Sequence, residues 1–422
     1  MPGPDDVGRR EDQRVALTES VRRQPLREAS ARTYARALPI VPVRARGMTV
    51  EGADGRRYLD CLSGDGALAL GHNHPVVLAA VREVLDSGAP IGVLDLSTPV
   101  EERFVAELLA TLPPGQARGA RVRFCGPAAA DALAVASRLV QDATGAAGPP
   151  VPADRPGEGH ASVEALLEGC AAGAPRPAAV VAEPLDDGRL RAVREATRAL
   201  GVPLIVDETV TGVGRTGAFW AVEHSEVVPD VMVLAKAIGG SLPLAVVVHR
   251  EDLEAAAPAA EGRAAASAVR AASADAARGN QLAMAAGAAT LAHVREHRLA
   301  ERAAVVGERM LARLRELVAR FPSVAGVRGR GLMLGLEFTD ADPDSDASAV
   351  AGPVTGVPCG ASWQAAAVRR ECLRRGLIVG LGGPHAEVVR LLPPLTVSDE
   401  QADAVLERLA DAVGAAADAA RP

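Results

Sequence analysis

PLIVDETVTGVGRTGAFWAVEHSEVVPDVMVLAK, residues 203–236, holds two short apolar runs, each stopped by charge. The first ends at Asp207 and Glu208 and the second at Lys236. Runs of this length, rich in Val and Ile, read as strands buried on both faces. Upstream, AAVVAEP (178–184) repeats the pattern and ends at Glu183, and LRAVREATRALG (190–201) between them has helical spacing. Strand and helix in alternation give an α/β chain with a mostly parallel sheet covered on both faces. Ligands of such sheets bind beyond the carboxyl ends of the strands, so Glu183, Asp207, Glu208 and Lys236 are expected along one cleft.

Working outward, VVLAAVREVLDSG (76–88) and TPVEERFVAELLATL (98–112) read as amphipathic helices, the first stopped by Gly88 and the second started at Thr98. RVRFCG reads as a strand and ADALAVASRLVQDATG (130–145) as the helix after it. The segment 44–75 is expected to form short strands joined by an Asp-Gly turn and to lie beside the C-terminal part of the chain. From Gln281 one long helical region leads through Phe321 into mixed strands and helices. The division expected is a small α+β domain from both termini, 1–70 with 313–422, and a large domain over 71–312. A Gly, Ala and Pro-rich stretch between Thr144 and Pro177, with one short helix ASVEALLEGC, reads as a shortened connection. The alanine-rich run from Ala255 to Gly279 fits helix or low-complexity loop equally. The acidic loop TDADPDSDASAV reads as solvated rather than metal-binding.

Composition narrows the function classes. With 48% hydrophobic and 23% charged residues the chain is ordinarily globular, and no apolar run reaches bilayer length. The polar N-terminus lacks the apolar core of a secretory signal and reads as a frayed leader, which points to the cytoplasm. A net charge of -7 without a basic tract speaks against a nucleic-acid partner and for a small-molecule substrate. Cys61, Cys125, Cys170, Cys359 and Cys372 lack metal or disulfide spacing and read as reduced structural thiols. Among the 46 lysines and arginines, Lys236 is the sole lysine. A guanidinium cannot form an imine, whereas an amine can, so a lysine kept in an arginine-using chain points to a lysine-specific role.

At the end of an apolar strand a free amine can condense with an aldehyde, which suits pyridoxal 5'-phosphate (PLP). The ring nitrogen of that cofactor needs a carboxylate, and Asp207 can supply it. The alternative for Asp207 and Glu208 is a helix cap or a buried ion pair with an arginine. After RVRFCG, small residues at a helix N-terminus offer amides to a phosphate, although Asp131 could simply cap that helix. Arg390, in EVVRLLPPL (387–395), could fork onto a substrate carboxylate or lie on the surface.

The chain resembles the class III PLP-dependent aminotransferases, in particular the diaminobutyrate:2-oxoglutarate type. The likeness rests on ARTYARALPIVPVRARG, GRRYLDCLSG, LGHNHP, RVRFCGP, VDETVTGVGRTGAFWAVEHS, VPDVMVLAKAIGGSLPLAVVV, RGNQLAMAAG, VRGRGLMLGLEF, ECLRRGLIVGLGG and VVRLLPPL. It implies a homodimer of PLP fold type I, with Lys236 holding the cofactor as a Schiff base, Asp207 at its ring nitrogen, and Arg390 at the substrate carboxylate, while Glu183, from its strand end, is expected toward the substrate. It also marks departures at the cofactor site. Ala128 and Ala129 stand where the family has a Gly, Ser or Thr pair, and Val210 stands for a glutamine near the ring hydroxyl. Ala276 aligns near a threonine that reaches the neighbouring subunit's phosphate. The segment bearing a stacking aromatic is missing, with no Phe, Trp or Tyr between Phe124 and Phe219, and the stretch after Glu183-Pro184 is shortened to LDDGRL. Each lost hydrogen bond to a charged phosphate weakens binding by about 1.5 to 3 kcal/mol, offset by the covalent anchor. The implied reaction is amino transfer between an amine or diamino acid and a 2-keto acid. Two other readings use the same residues: a homologue that has lost PLP and works through Glu183, Asp207 and Glu208, and a noncatalytic subunit paired with an intact enzyme.

Overall fold

A computed structural model describes residues 38–93, 96–146, 148–153, 169–170, 175–255, 279–339 and 361–419. The frayed leader, the alanine-rich run, the acidic loop, Cys359, Ala276 and all but the last two residues of the short helix ASVEALLEGC fall outside these. β1 (Pro42–Arg46), β2 (Thr49–Gly52) and β3 (Arg57–Asp60) form an antiparallel set, with Asp54 and Gly55 in the turn between β2 and β3. A later two-residue strand, Leu377–Ile378, pairs parallel with β3, so the N-terminal strands do lie beside the C-terminal part of the chain.

The central sheet has six strands: β4 (Ala120–Phe124), β5 (Val151–Pro152), β6 (Val180–Ala182), β7 (Leu204–Asp207), β8 (Val231–Ala235) and β9 (Ala245–Arg250), in the order β4-β9-β8-β7-β6-β5. β5 through β8 are mutually parallel, as the alternation predicts. β9 runs antiparallel to both neighbours, an exception the sequence reading did not foresee. β5 is not among the expected strands: it sits inside the stretch that reads as a shortened connection with one short helix, and it pairs with β6 as the edge. Period-two alternation makes β8 face both layers. Met232 and Leu234 join one buried cluster, while Val231, Val233 and Ala235 join another.

Helices cover both faces. α1 (Pro75–Asp86) ends before Gly88, whose φ is +71°. α2 (Pro99–Thr111) starts at Thr98, whose hydroxyl accepts from the Glu101 amide at 3.1 Å, as an N-cap should. α3 (Ala129–Thr144) and α4 (Asp187–Leu200) each end at a left-handed glycine, Gly145 and Gly201. The long helical region breaks at Arg298 (φ +50°) into α5 (Gln281–Glu296) and α6 (Leu299–Arg320). β10 (Val324–Arg330), β11 (Met333–Phe338), α7 (Ala361–Arg374), β12 (Leu377–Ile378), β13 (Gly380–Gly382), β14 (Val388–Leu391) and α8 (Asp399–Ala419) complete the chain. The third sheet has the order β10-β11-β14-β13, and its member β14 carries Arg390.

Cys61, Cys125, Cys170 and Cys372 are buried, and burial pushes the Cys372 thiol up to about 12. Among the described residues no helix is long and apolar enough to cross a membrane.

Candidate active site

The carboxyl ends of β6, β7 and β8 line up along one edge and present, in spatial order, Glu183, Asp207 and Lys236. Asp207 pairs in register with Val233, and Lys236 stands three residues beyond Val233, just past the end of the neighbouring strand. One oxygen of Asp207 accepts from the Thr209 amide at 2.9 Å, and the other has no hydrogen bond among the described residues. That open oxygen suits a protonated ring nitrogen. Glu183 is exposed beyond β6, on the far side of Asp207 from the lysine. Glu208 does not share the cleft. It is 2% exposed and accepts from the Thr211 hydroxyl at 2.5 Å and the Val222 amide at 2.9 Å, so it clasps the loop after β7. Burial raises its carboxyl from the ordinary 4.5 to about 7. The reading in which Glu208 is a working acid of the cleft is thereby corrected.

β4 reaches the same edge. Phe124 pairs with Val246, and Val246 with Leu234, so the start of α3 lies level with Lys236 with β9 between. The Asp131 carboxylate reaches back to accept from the Ala128 amide at 3.0 Å. Of the amides offered to a phosphate, Ala128's is therefore taken, and those of Ala129 and Ala130, at the helix's positive end, have no acceptor among the described residues.

Lys236 opens a one-turn 3-10 helix, Lys236–Gly239, with a left-handed φ of +57°, which costs about 1 kcal/mol for a residue with a side chain. Packing holds it there: α5 lies so close that a Cβ on Gly287 would meet the Ile238 carbonyl oxygen and come within 2.8 Å of Phe104 Cε2. The amine is not buried among apolar neighbours, as the strand pattern suggested. Its side chain is 24% exposed, and Nζ donates to Asp65 Oδ2 at 2.6 Å and to the Asp65 carbonyl at 3.1 Å.

The other oxygen of Asp65 accepts from Arg390 Nη2 at 2.8 Å, so one carboxylate joins the lysine and the arginine. Backbone bonds bring their segments together: the Leu392 amide donates to the Cys61 carbonyl at 2.6 Å and the Leu395 amide to that of Ala69 at 2.8 Å. Arg390 lies across β13, where a Cβ on Gly382 would stand 2.5 Å from its Cδ and 2.8 Å from its Nε. Glycine in GLG is thus what gives the guanidinium room. Val210 faces the same turn, its Cγ1 3.7 Å from where a Cβ on Gly66 would be.

Asp65 and Arg215 are the residues that sequence reasoning missed. Asp65 sits between the matched segments GRRYLDCLSG and LGHNHP, and the signal was an acid flanked by two glycines. Arg215 is 2% exposed and donates to the carbonyls of Pro393 and Leu332, tying the loop after β7 to β14 and to the turn between β10 and β11. Burial without a facing carboxylate pulls its guanidinium down to about 10.

Known proteins share this architecture. The model of the family described as aminotransferase class-III matches residues 29–147 and 176–413, breaking at the shortened stretch. A diaminobutyrate--2-oxoglutarate aminotransferase of Rhizobium meliloti is 40% identical, over 92% of this chain and 91% of its own. One of the same name from Haemophilus influenzae is 33% identical, over 93% of this chain and 94% of its own. Among solved structures, N-acetylornithine aminotransferase of Stenotrophomonas maltophilia superposes with a TM-score of 0.73 at 26% identity, over 93% of this chain and all (100%) of its own. Ornithine aminotransferase of Plasmodium yoelii gives 0.75 at 23% identity, over 94% of this chain and 99% of its own, a likeness of fold. With a family match over most of its length and close relatives along nearly all of it, the chain belongs to the class III aminotransferases.

Proposed function

We propose that the protein transfers an amino group between an amine or diamino acid and a 2-keto acid, with pyridoxal 5'-phosphate held on Lys236. The observation that carries this reading is the sole lysine of the chain standing one strand from a carboxylate with an open oxygen. When bound, the cofactor supplies an electron sink for the carbanion formed at the substrate carbon. The chain's own residues do the rest. Asp207 holds the ring nitrogen in its charged form. Lys236 Nζ would hold the cofactor and move the proton at the substrate carbon. The Ala129 and Ala130 amides, with the dipole of α3, receive the phosphate. Val210 would border the cofactor ring, Arg390 would meet the far end of the substrate, and Glu183 would border the cleft. A large domain over 71–312 and a small one from 1–70 and 313–422 enclose this cleft, and the active form is a cytoplasmic homodimer.

The test is spectroscopic. Purified protein treated with excess PLP and passed through a desalting column should keep a visible absorbance that an amine donor bleaches and a keto acid restores. In Lys236→Ala the band should be absent and turnover should fall by about 10³-fold or more. Equal spectra for the two proteins would overturn the proposal.

A further inference from the structure

The turn after β14 is short of donors. Pro393 and Pro394 carry no amide hydrogen, and the amides on either side of them, Leu392 and Leu395, are both given to the segment before α1, at the carbonyls of Cys61 and Ala69. The Pro393 carbonyl is taken by Arg215, from the loop after β7. One nitrogen, Nη1, serves both Pro393 and Leu332, the latter at 3.3 Å, and the Leu332 amide returns a bond to the Arg215 carbonyl at 2.9 Å. The backbones approach closely here. A Cβ on Gly331, whose φ is +56°, would stand 2.6 Å from the Arg215 carbonyl oxygen, and one on Gly214 would stand 3.1 Å from Leu395 Cδ1. At its start the same loop is clasped to the end of β7 by Glu208, through Thr211 and Val222.

We infer that Arg215 is a positioning residue for the amino transfer: it fixes the strand that carries Arg390 at a set span from the strand that carries Asp207, and so sets how tightly a keto acid is held without altering the hold on the cofactor. The inference rests on the proposed transamination at Lys236. Arg390 and Asp207 stand in different sheets, so their spacing depends on what crosses between the two. Arg215 crosses, and it reaches β14's turn three residues beyond Arg390. Its acceptors are main-chain carbonyls. A guanidinium bonded to a carboxylate can follow that side chain's rotations, whereas a main-chain carbonyl moves only with its own segment, so these bonds transmit position. Burial makes the tie firm. Arg215 is 2% exposed and its Nη2 is buried with no partner among the described residues, so a guanidinium that left Pro393 would find no water to replace it. Asp207 and Lys236, by contrast, belong to adjacent strands of one sheet and need no such tie.

The test is steady-state kinetics of the full-length, PLP-treated protein with 2-oxoglutarate as acceptor and 1,3-diaminopropane, which has no carboxylate, as donor. Arg215→Met keeps the length of the side chain and removes its donors. KM for 2-oxoglutarate should rise about tenfold with kcat within about threefold, while KM for the diamine and the absorbance kept after desalting change by less than about twofold. Because one nitrogen makes both bonds, the single ammonium of Arg215→Lys should bring KM back to within about threefold of wild type. An unchanged KM for 2-oxoglutarate in folded Arg215→Met, or in Arg215→Gln should the first variant not fold, overturns the inference, as does an equal rise for both substrates. Hydrogen exchange of the wild type is an arm that needs neither variant nor turnover. The Leu332, Leu392 and Leu395 amides should open as one unit, with protection factors within about threefold, and about tenfold faster exchange at Leu392 and Leu395 than at Leu332 also overturns the tie. Absence of visible absorbance in PLP-treated wild type would instead count against the reading at Lys236, with the exchange arm still deciding on Arg215.

Discussion

The two ends of β8 carry the same charge pattern in different surroundings. At its start, Asp230 is shared by Arg194, at 2.6 Å, and Arg250, at 2.9 Å. At its end, Asp65 is shared by Lys236 and Arg390, at 2.6 and 2.8 Å. The Asp230 side chain is 5% exposed and also accepts from the Leu204 amide, so it ties α4, β7 and β9 into one layer. The Asp65 side chain is 44% exposed and can exchange its partners with a ligand. A sealed acid between two cations fixes the strand, and an open one leaves its partners within reach of solvent. The difference is one of exposure rather than of residue type.

The largest expected effect breaks the sealed end. Asp230→Ala leaves Arg194 buried without its partner and should lower the free energy of unfolding by about 3–5 kcal/mol, read as a drop in urea midpoint. Asp65→Asn, by contrast, should move that midpoint by less than about 1 kcal/mol. The next effect concerns Glu208, beside the cleft but outside it. Its carboxyl is raised in the folded protein, from 4.5 to about 7, so the stability it contributes is fully present below pH 4.5 and is lost as pH rises through 7. Glu208→Gln should therefore remove about 3 kcal/mol of that fall between pH 4.5 and 8 in parallel urea titrations. A smaller effect sharpens the open end. Gly382→Ala crowds Arg390 where it lies across β13 and should lower the free energy of unfolding by about 1–2 kcal/mol, read as a drop in urea midpoint. The smallest belongs to the solvated rim: Arg138→Ala removes an i,i+4 pair with Asp142 and should cost no more than about 0.5 kcal/mol.

Much of the fold was legible because it rests on local pattern. The strands ending at Glu183, Asp207 and Lys236, and helices α1 to α4 with their Gly or Thr boundaries, follow from apolar spacing and capping. β9 was not read as a strand, because its reversal depends on the turn Gly239–Gly240 packed against α5 rather than on its own residues. β5 escaped because two residues carry no periodicity. The long helical region gave no warning of its break, since Arg298 in left-handed backbone has no composition signal. At the site, the lysine stood out by being alone. Asp65 did not, because its importance is a matter of contact across 171 residues to Lys236 and 325 to Arg390. Glu208 looked like a cleft acid because it follows Asp207, yet the end of the strand sends successive side chains to opposite sides.

Reduction of the PLP-treated protein with borohydride, followed by intact mass and peptide mapping, tests the account most directly. Because Lys236 is the sole lysine, one added cofactor mass located on the peptide that contains it is the expected result. An unmodified chain, or a modification confined to the N-terminal amine and unchanged in Lys236→Ala, would contradict it.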